Sequence, residues 1–208
     1  MRCIILFADC VILHRFVLKI TKMQTRLGTT KDIEEILALQ ELYLYRNLNE
    51  EERKKGFVTT PFTVIQLEQV IQERGLFVAE NEASKIVAYA LAASWKYFEQ
   101  WEIFNYMVSR FPNLSFEGKE IMTQNSFQYG PVCIDKKYRG TGVLQLIFEE
   151  MRMELLKRYP ISITFINKMN LISENAHTKK LGWKIIDTFE FNNNQYIGLA
   201  FDMNKSVL

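Results

Sequence analysis

Apolar residues recur along the chain with two periods, one near 3.6 and one near 2, and the switches between them outline a fold. In KDIEEILALQELYLYRNL, Ile33, Ile36, Leu37 and Leu44 fall near one helical face, and Asp32 with Glu35 three residues on resembles a capping box. A first helix from Asp32 is expected. TTPFTVIQLEQVIQERG repeats the pattern, with Thr63 as N-cap, Gln66 as its reciprocal partner, Leu67, Val70 and Ile71 inward, and Gly75 as terminator. LFVAENEASKIVAYALAAS reads instead as two strands, Leu76 to Glu80 and Ile86 to Ala93, forming an antiparallel hairpin. Residues 95 to 111 place Tyr97, Trp101, Phe104, Val108 and Phe111 at helical spacing before Pro112, which predicts one aromatic helix. Its rings serve either as core filling or as a substrate wall or dimer face. The polar stretch from Asn113 to Asn125 reads as a surface loop bordering a pocket.

A β-α-β unit follows. Phe127 to Ile134 reads as a strand, Gly142 to Tyr159 as a helix stopped by Pro160, and Ile161 to Asn167 as a second strand with alternating Ile161, Ile163 and Phe165. Two strands so connected run parallel, and the loop at the first strand's carboxyl end lies where such sheets bind ligands. Residues 173 to 181 then form a short helix, and two closing strands flank an Asn-rich turn, Asn192 to Asn194. The class is α/β of the mixed, α+β kind. One domain spans 23 to 208, without internal repeat or linker.

Residues 1 to 22 are set apart as an extension of uncertain status. Their apolar run from Cys3 to Leu13 is broken by Asp9 and ended by His14 and Arg15, too short and interrupted for a secretory signal or a spanning helix. A cytoplasmic protein without membrane partners is expected. Composition narrows the picture further. Apolar residues make up 48%, including 15 Phe, enough for a core and against disorder. The net charge of +2 supplies no global field for nucleic acid, so basic function must come from a local cluster. Three irregularly spaced Cys and two His argue against a disulfide scaffold and against any metal site.

That local cluster is DKKYRGTG, residues 135 to 142, which joins the buried strand to the helix. Its cations Lys136, Lys137 and Arg139 face one nearby anion, Asp135, and its glycines let the backbone close on a bulky oxyanion at a helix start. An ordinary glycine-containing turn is the other reading of RGTG alone. The sequence lacks both the P-loop pattern and a strand followed by GxGxxG, so neither nucleotide fold is supported.

In its order of helix, helix, hairpin, strand, VCIDKKYRGTGV, helix, strand, Asn170, short helix and KKLGW, the chain resembles the GNAT superfamily of N-acetyltransferases over roughly residues 24 to 203. Of the family signature R/Q-x-x-G-x-G/A, Arg139 and Gly142 match the first and fourth positions, and Leu144 stands where Gly or Ala is expected. The resemblance implies a central mixed sheet splayed between its fourth and fifth strands, flanked by helices, with acetyl-CoA as co-substrate in the cleft. It implies that the backbone of Arg139, Gly140, Thr141, Gly142, Val143 and Leu144 holds the pyrophosphate, that Val132 and Ile134 pair with the pantetheine arm, and that Asn170 contacts the cofactor.

Lys180-Leu181-Gly182-Trp183 matches the family's K-x-G-F ending, but the expected tyrosine is replaced by Thr178. His177, one residue away and thus rotated by about 100° on a helix, is the candidate acid for the leaving thiolate, with Thr178 or water as the alternatives, or else it is a surface histidine at a helix end. Tyr129 and Glu120 are candidates for help with the amine's proton. Cys133, opposite Val132 and Ile134 by strand alternation, is assigned to the core. The implied activity is transfer of an acetyl or short acyl group to the primary amine of a small molecule or peptide, by direct attack in a ternary complex. The alternative is a non-catalytic acyl-CoA-binding or sensory module. The apolar insert at 95 to 111 offers a homodimer face.

Overall fold

The computed structural model describes residues 23 to 208. The N-terminal extension, with Cys3 and Cys10, lies outside the described residues. In chain order the elements are β1 (Gln24–Leu27), α1 (Ile33–Tyr43), α2 (Glu50–Arg53), α3 (Val64–Gln72), β2 (Leu76–Glu80), β3 (Ile86–Ala93), α4 (Trp95–Phe98), α5 (Glu102–Arg110), β4 (Ser115–Phe116) and β5 (Lys119–Glu120). Then come β6 (Ser126–Ile134), α6 (Val143–Leu155), β7 (Ile161–Asn167), α7 (Leu171–Asn175), β8 (Lys184–Phe191) and β9 (Asn194–Asp202). Among the described residues, seven strands form one mixed sheet in the order β1-β2-β3-β6-β7-β9-β8, in which only β6 and β7 run parallel.

Strand alternation divides the core between the two faces of this sheet. Leu76, Val78, Tyr89, Leu91, Ile161 and Ile163 pack against α1, α3, α4 and α5. Phe77, Ala90, Phe127, Tyr129, Leu199 and Phe201 pack against α6, through Ile147, Phe148 and Met151, and against Leu181 and Trp183.

Local signals explain most boundaries. Thr63 accepts from the Gln66 N–H while the Gln66 side chain accepts from Thr63 N–H, the reciprocal cap read in the sequence. The first helix starts differently. A 3-10 turn over Thr30–Asp32 leads into it, capped by Thr29 with Asp32 as the third-position partner, and Arg26 holds the Asp32 carboxylate through two hydrogen bonds of 2.8 Å. Glu35, free of the cap, accepts from Ile86 N–H at 3.0 Å and ties the helix to β3. Gly75 is required by crowding, since a Cβ there would lie 1.7 Å from the Ala92 carbonyl oxygen. The left-handed residue after α3 is Arg74.

The aromatic segment is two helices, because Ser94 caps a single turn and Trp101 adopts extended backbone before α5 starts. Trp95, Tyr97, Phe98, Phe104 and Phe111 are buried in the chain's own core, which favours the core-filling reading. The loop before β6 holds the small β4–β5 hairpin, turned through left-handed Glu117 and Gly118. The short helix expected at 173 to 181 begins two residues earlier and continues as a wider, π-helical turn over 176–181.

The feature that positions the site is a partial pairing. β6 and β7 are in register only at Ser126↔Ile161, Phe127↔Ser162 and Gln128↔Ile163, and part beyond these pairs. The cause lies in β6. Opposite β3, the register steps from Ala92↔Tyr129 to Ala90↔Val132, so that Leu91 faces both Gly130 and Pro131. Such a bulge bends its strand, and Pro131 has no N–H to bond. The sheet therefore splays between its fourth and fifth main strands in chain order, as the resemblance implied.

Candidate active site

Parity fixes what β6 shows to the opening. Asp135 N–H donates to Val87 O at 2.9 Å and Cys133 sits opposite Tyr89, so the odd-numbered residues bond to β3. Antiparallel pairs alternate, and Val132 and Ile134 consequently turn their backbone groups into the splay. Arg139 Nε takes the Ile134 carbonyl at 2.9 Å. Val132 and the Ile134 N–H are left facing the cleft.

The next wall is the glycine loop. Gly140 (φ +78°) and Gly142 (φ +94°) are left-handed, and a Cβ at either would meet nothing within 4 Å. Gly142 is the cap of α6 and has no side chain with which to satisfy the helix start. The N–H groups of Gly142, Val143, Leu144 and Gln145 consequently meet no acceptor among the described residues. Four donors and the positive end of a helix of 13 residues converge there.

A cleft of about 260 Å³ joins these walls. It brings together Val132, Ile134, Arg139, Gly140, Gly142, Val143, Leu144, Asn170 and His177, and leaves out Thr141, Tyr129 and Glu120 of the candidate cofactor and catalytic residues. Each exception has a physical cause. Thr141 folds back, its hydroxyl donating to Tyr138 O at 2.6 Å. Tyr129 lies beneath the floor, fully buried between Phe148 and Trp183, with no partner for its hydroxyl among the described residues. Desolvation raises its pKa well above the ordinary phenol range, so Tyr129 is no base for an amine's proton. Glu120 is exposed on β5, away from the cleft lining.

Two residues expected to contact a cofactor are engaged with the protein. Arg139 donates to Lys55 O and stacks over the Tyr43 ring at 4.7 Å. Asn170 caps α7 through Ser173 N–H at 3.2 Å and donates to Phe57 O at 3.3 Å. Both thereby hold residues 55–58, which line the cleft and which the sequence reading passed over. The available signal was the tripeptide Gly56-Phe57-Val58, apolar after a run of charges. Tyr43 was missed too; its hydroxyl accepts from Lys136 N–H at 2.8 Å and pins the loop.

His177 is buried, not a surface residue. Its Nδ1 lies 2.7 Å from Ser173 O, and burial pushes its pKa down to about 4. A carbonyl only accepts, so the single proton of the neutral ring sits on Nδ1 and Nε2 is bare. The ring has no proton to give a thiolate near neutral pH. Thr178 is committed as well, donating to Glu174 O at 2.8 Å. Cys133 is enclosed in the core, where desolvation pushes its thiol up to about 12. Among the described residues no cluster of potential metal ligands occurs, and no helix is long and apolar enough to cross a membrane.

Known structures share this architecture. The Salmonella typhimurium protein yncA, solved with its cofactor acetyl-CoA, superposes with a TM-score of 0.58 at 12% identity, over 88% of this chain and 94% of that one. An N-acetyltransferase from Staphylococcus aureus gives 0.56 at 17% identity over 87% and 98%. The ribosomal-protein-S18-alanine N-acetyltransferase of Escherichia coli gives 0.55 at 12% over 87% and 94%. No protein-family profile matches the chain, and no curated protein sequence does. The fold is that of the GNAT acetyltransferases.

Proposed function

We propose that this chain is a GNAT acyltransferase, moving an acetyl or short acyl group from acetyl-CoA to the primary amine of a small molecule or peptide. The observation that carries the reading is the run of four unpartnered N–H groups, Gly142 to Gln145, at the edge of a cleft opened where β6 leaves β7. Free amides at a helix start suit a diphosphate. The lining fits the rest of the group: Val132, Ile134 and Ile172 offer apolar surface to an arm, and exposed Lys55 and Lys180 offer charge to phosphates. Acetyl-CoA supplies the activated thioester.

The chain's own part is binding and alignment. The glycine loop and α6 hold the anionic end, the free edge of β6 orients the arm, and residues 55–58 cover the cleft. Holding an amine against a fixed thioester accounts for most of the rate such a site needs. The amine arrives deprotonated or loses its proton to water.

A second reading, a binding or sensory module without turnover, is favoured by one observation. The position of the family's tyrosine carries Thr178, whose hydroxyl is committed to Glu174 O, and the one ring proton of the adjacent neutral His177 is committed to Ser173 O. Calorimetry with acetyl-CoA, followed by thiol release across polyamines, amino sugars, amino acids and peptides, separates the readings. Turnover on any amine supports the enzyme. Tight binding without turnover supports the module, and absence of binding refutes both.

A further inference from the structure

His177 is the buried titratable group for which the reaction as described has no use. Its Nδ1–H donates to Ser173 O at 2.7 Å, with Ser173 Oγ at 3.5 Å, and Nε2 meets no donor among the described residues. The fully enclosed side-chain atoms without partners are Tyr89 Oη, Gln128 Oε1, Tyr129 Oη, Ser162 Oγ and Trp183 Nε1. Nε2 is not one of them. The ring has an open side, and His177 forms part of the cleft wall. Tyr129 and Trp183 pack edge-on to the imidazole, each at 5.7 Å between centroids, and hold its orientation. The cleft thus contains a fixed hydrogen-bond acceptor in need of a donor.

The β6 edge of the cleft specifies which donor. Ile134 O is taken by Arg139, so Ile134 offers the cleft its N–H alone. A planar trans amide points its C=O and N–H to opposite sides. An amide whose carbonyl accepts from Ile134 N–H turns its own N–H away from β6, into the cleft that His177 also lines.

Resting on the acyl-CoA reading above, we propose that His177 is a cofactor-holding residue whose Nε2 accepts a hydrogen bond from an amide N–H of the pantetheine arm. Acid catalysis, the role first suggested by its place beside Thr178, is replaced by recognition. Neutrality of the ring supports this, because a protonated imidazole would lose its acceptor.

The test measures acetyl-CoA affinity by calorimetry in the wild type, His177→Phe and His177→Gln, with thermal melts of each. It adds two synthetic donors in which one or the other pantetheine amide is an ester. Loss of one such hydrogen bond weakens binding roughly threefold to tenfold. That loss is expected for His177→Phe, with recovery in His177→Gln, which retains an acceptor oxygen. One of the two esters should show the same loss on the wild type and none on His177→Phe. If His177→Phe does not fold, the ester comparison on the wild type decides alone. Wild-type affinity in folded His177→Phe, or for both esters, overturns the proposal while leaving the acyl-CoA reading intact. No binding of acetyl-CoA by the wild type overturns both.

Discussion

Replacing Gly142 with valine separates the backbone's role in binding from its role in folding. Gly142 holds φ +94° and ψ −7°, a conformation that a β-branched residue adopts only under strain. The backbone cost is roughly 1 to 3 kcal/mol, seen as a fall of several degrees in the melting temperature. No atom lies within 4 Å of the new Cβ, so packing adds nothing to that cost. The side chain would instead occupy the approach to the free N–H groups. Each hydrogen bond to a charged group contributes about 1.5 to 3 kcal/mol, so losing one weakens acetyl-CoA binding roughly 10- to 150-fold. Gly118→Val is the control: φ is +77°, its Cβ is equally free, and it lies on the β4–β5 turn away from the cleft. Melts and calorimetry on both variants should show similar losses of stability but reduced affinity only for Gly142→Val. Wild-type affinity in folded Gly142→Val, or equal weakening in Gly118→Val, would refute the reasoning.

Tyr129→Phe removes a buried hydroxyl that has no partner among the described residues, and should leave stability unchanged or raise it by up to roughly 1 to 3 kcal/mol. Turnover should be unaffected; a collapse of kcat would restore Tyr129 to the chemistry. His177 is pushed down to about 4 from an ordinary 6.5, so the unfolded chain binds the extra proton between those values. Its contribution is full above pH 6.5 and falls away toward pH 4, by about 3 kcal/mol. Urea unfolding at several pH values should show this component in the wild type and not in His177→Gln. Gly75→Ala forces a Cβ against the Ala92 carbonyl and should destabilise the fold by roughly 3 kcal/mol or more, measured by the same unfolding.

Signals local in sequence were legible because neighbours alone decide them. The Thr63–Gln66 cap, both strands of the β2–β3 hairpin, and the turn through left-handed Asn192 and Asn193 are of this kind. Parity read along β6 also carried through for Cys133, which lies in the core opposite Val132 and Ile134. What depends on partners far along the chain was not legible. Asp32 lost the cap because Arg26 and Thr29 claimed it, and Arg139 and Asn170 were claimed by carbonyls of residues 55–58. The aromatic helix kept its period through Trp101 although the backbone breaks there, since the rings pack inward on both sides of the break. For His177, the sequence placed it near the site, but its role turned on a proton whose position is set by the Ser173 carbonyl.

The central claim is that the amides opening α6 bind the diphosphate of an acyl-CoA while the parted strands admit its arm. A crystal structure with acetyl-CoA tests it most directly. The account predicts diphosphate oxygens accepting from the N–H groups of Gly142 to Gln145, and the arm running along Val132 and Ile134. Bound diphosphate elsewhere with those amides still free, or β6 and β7 paired to their ends, would contradict it.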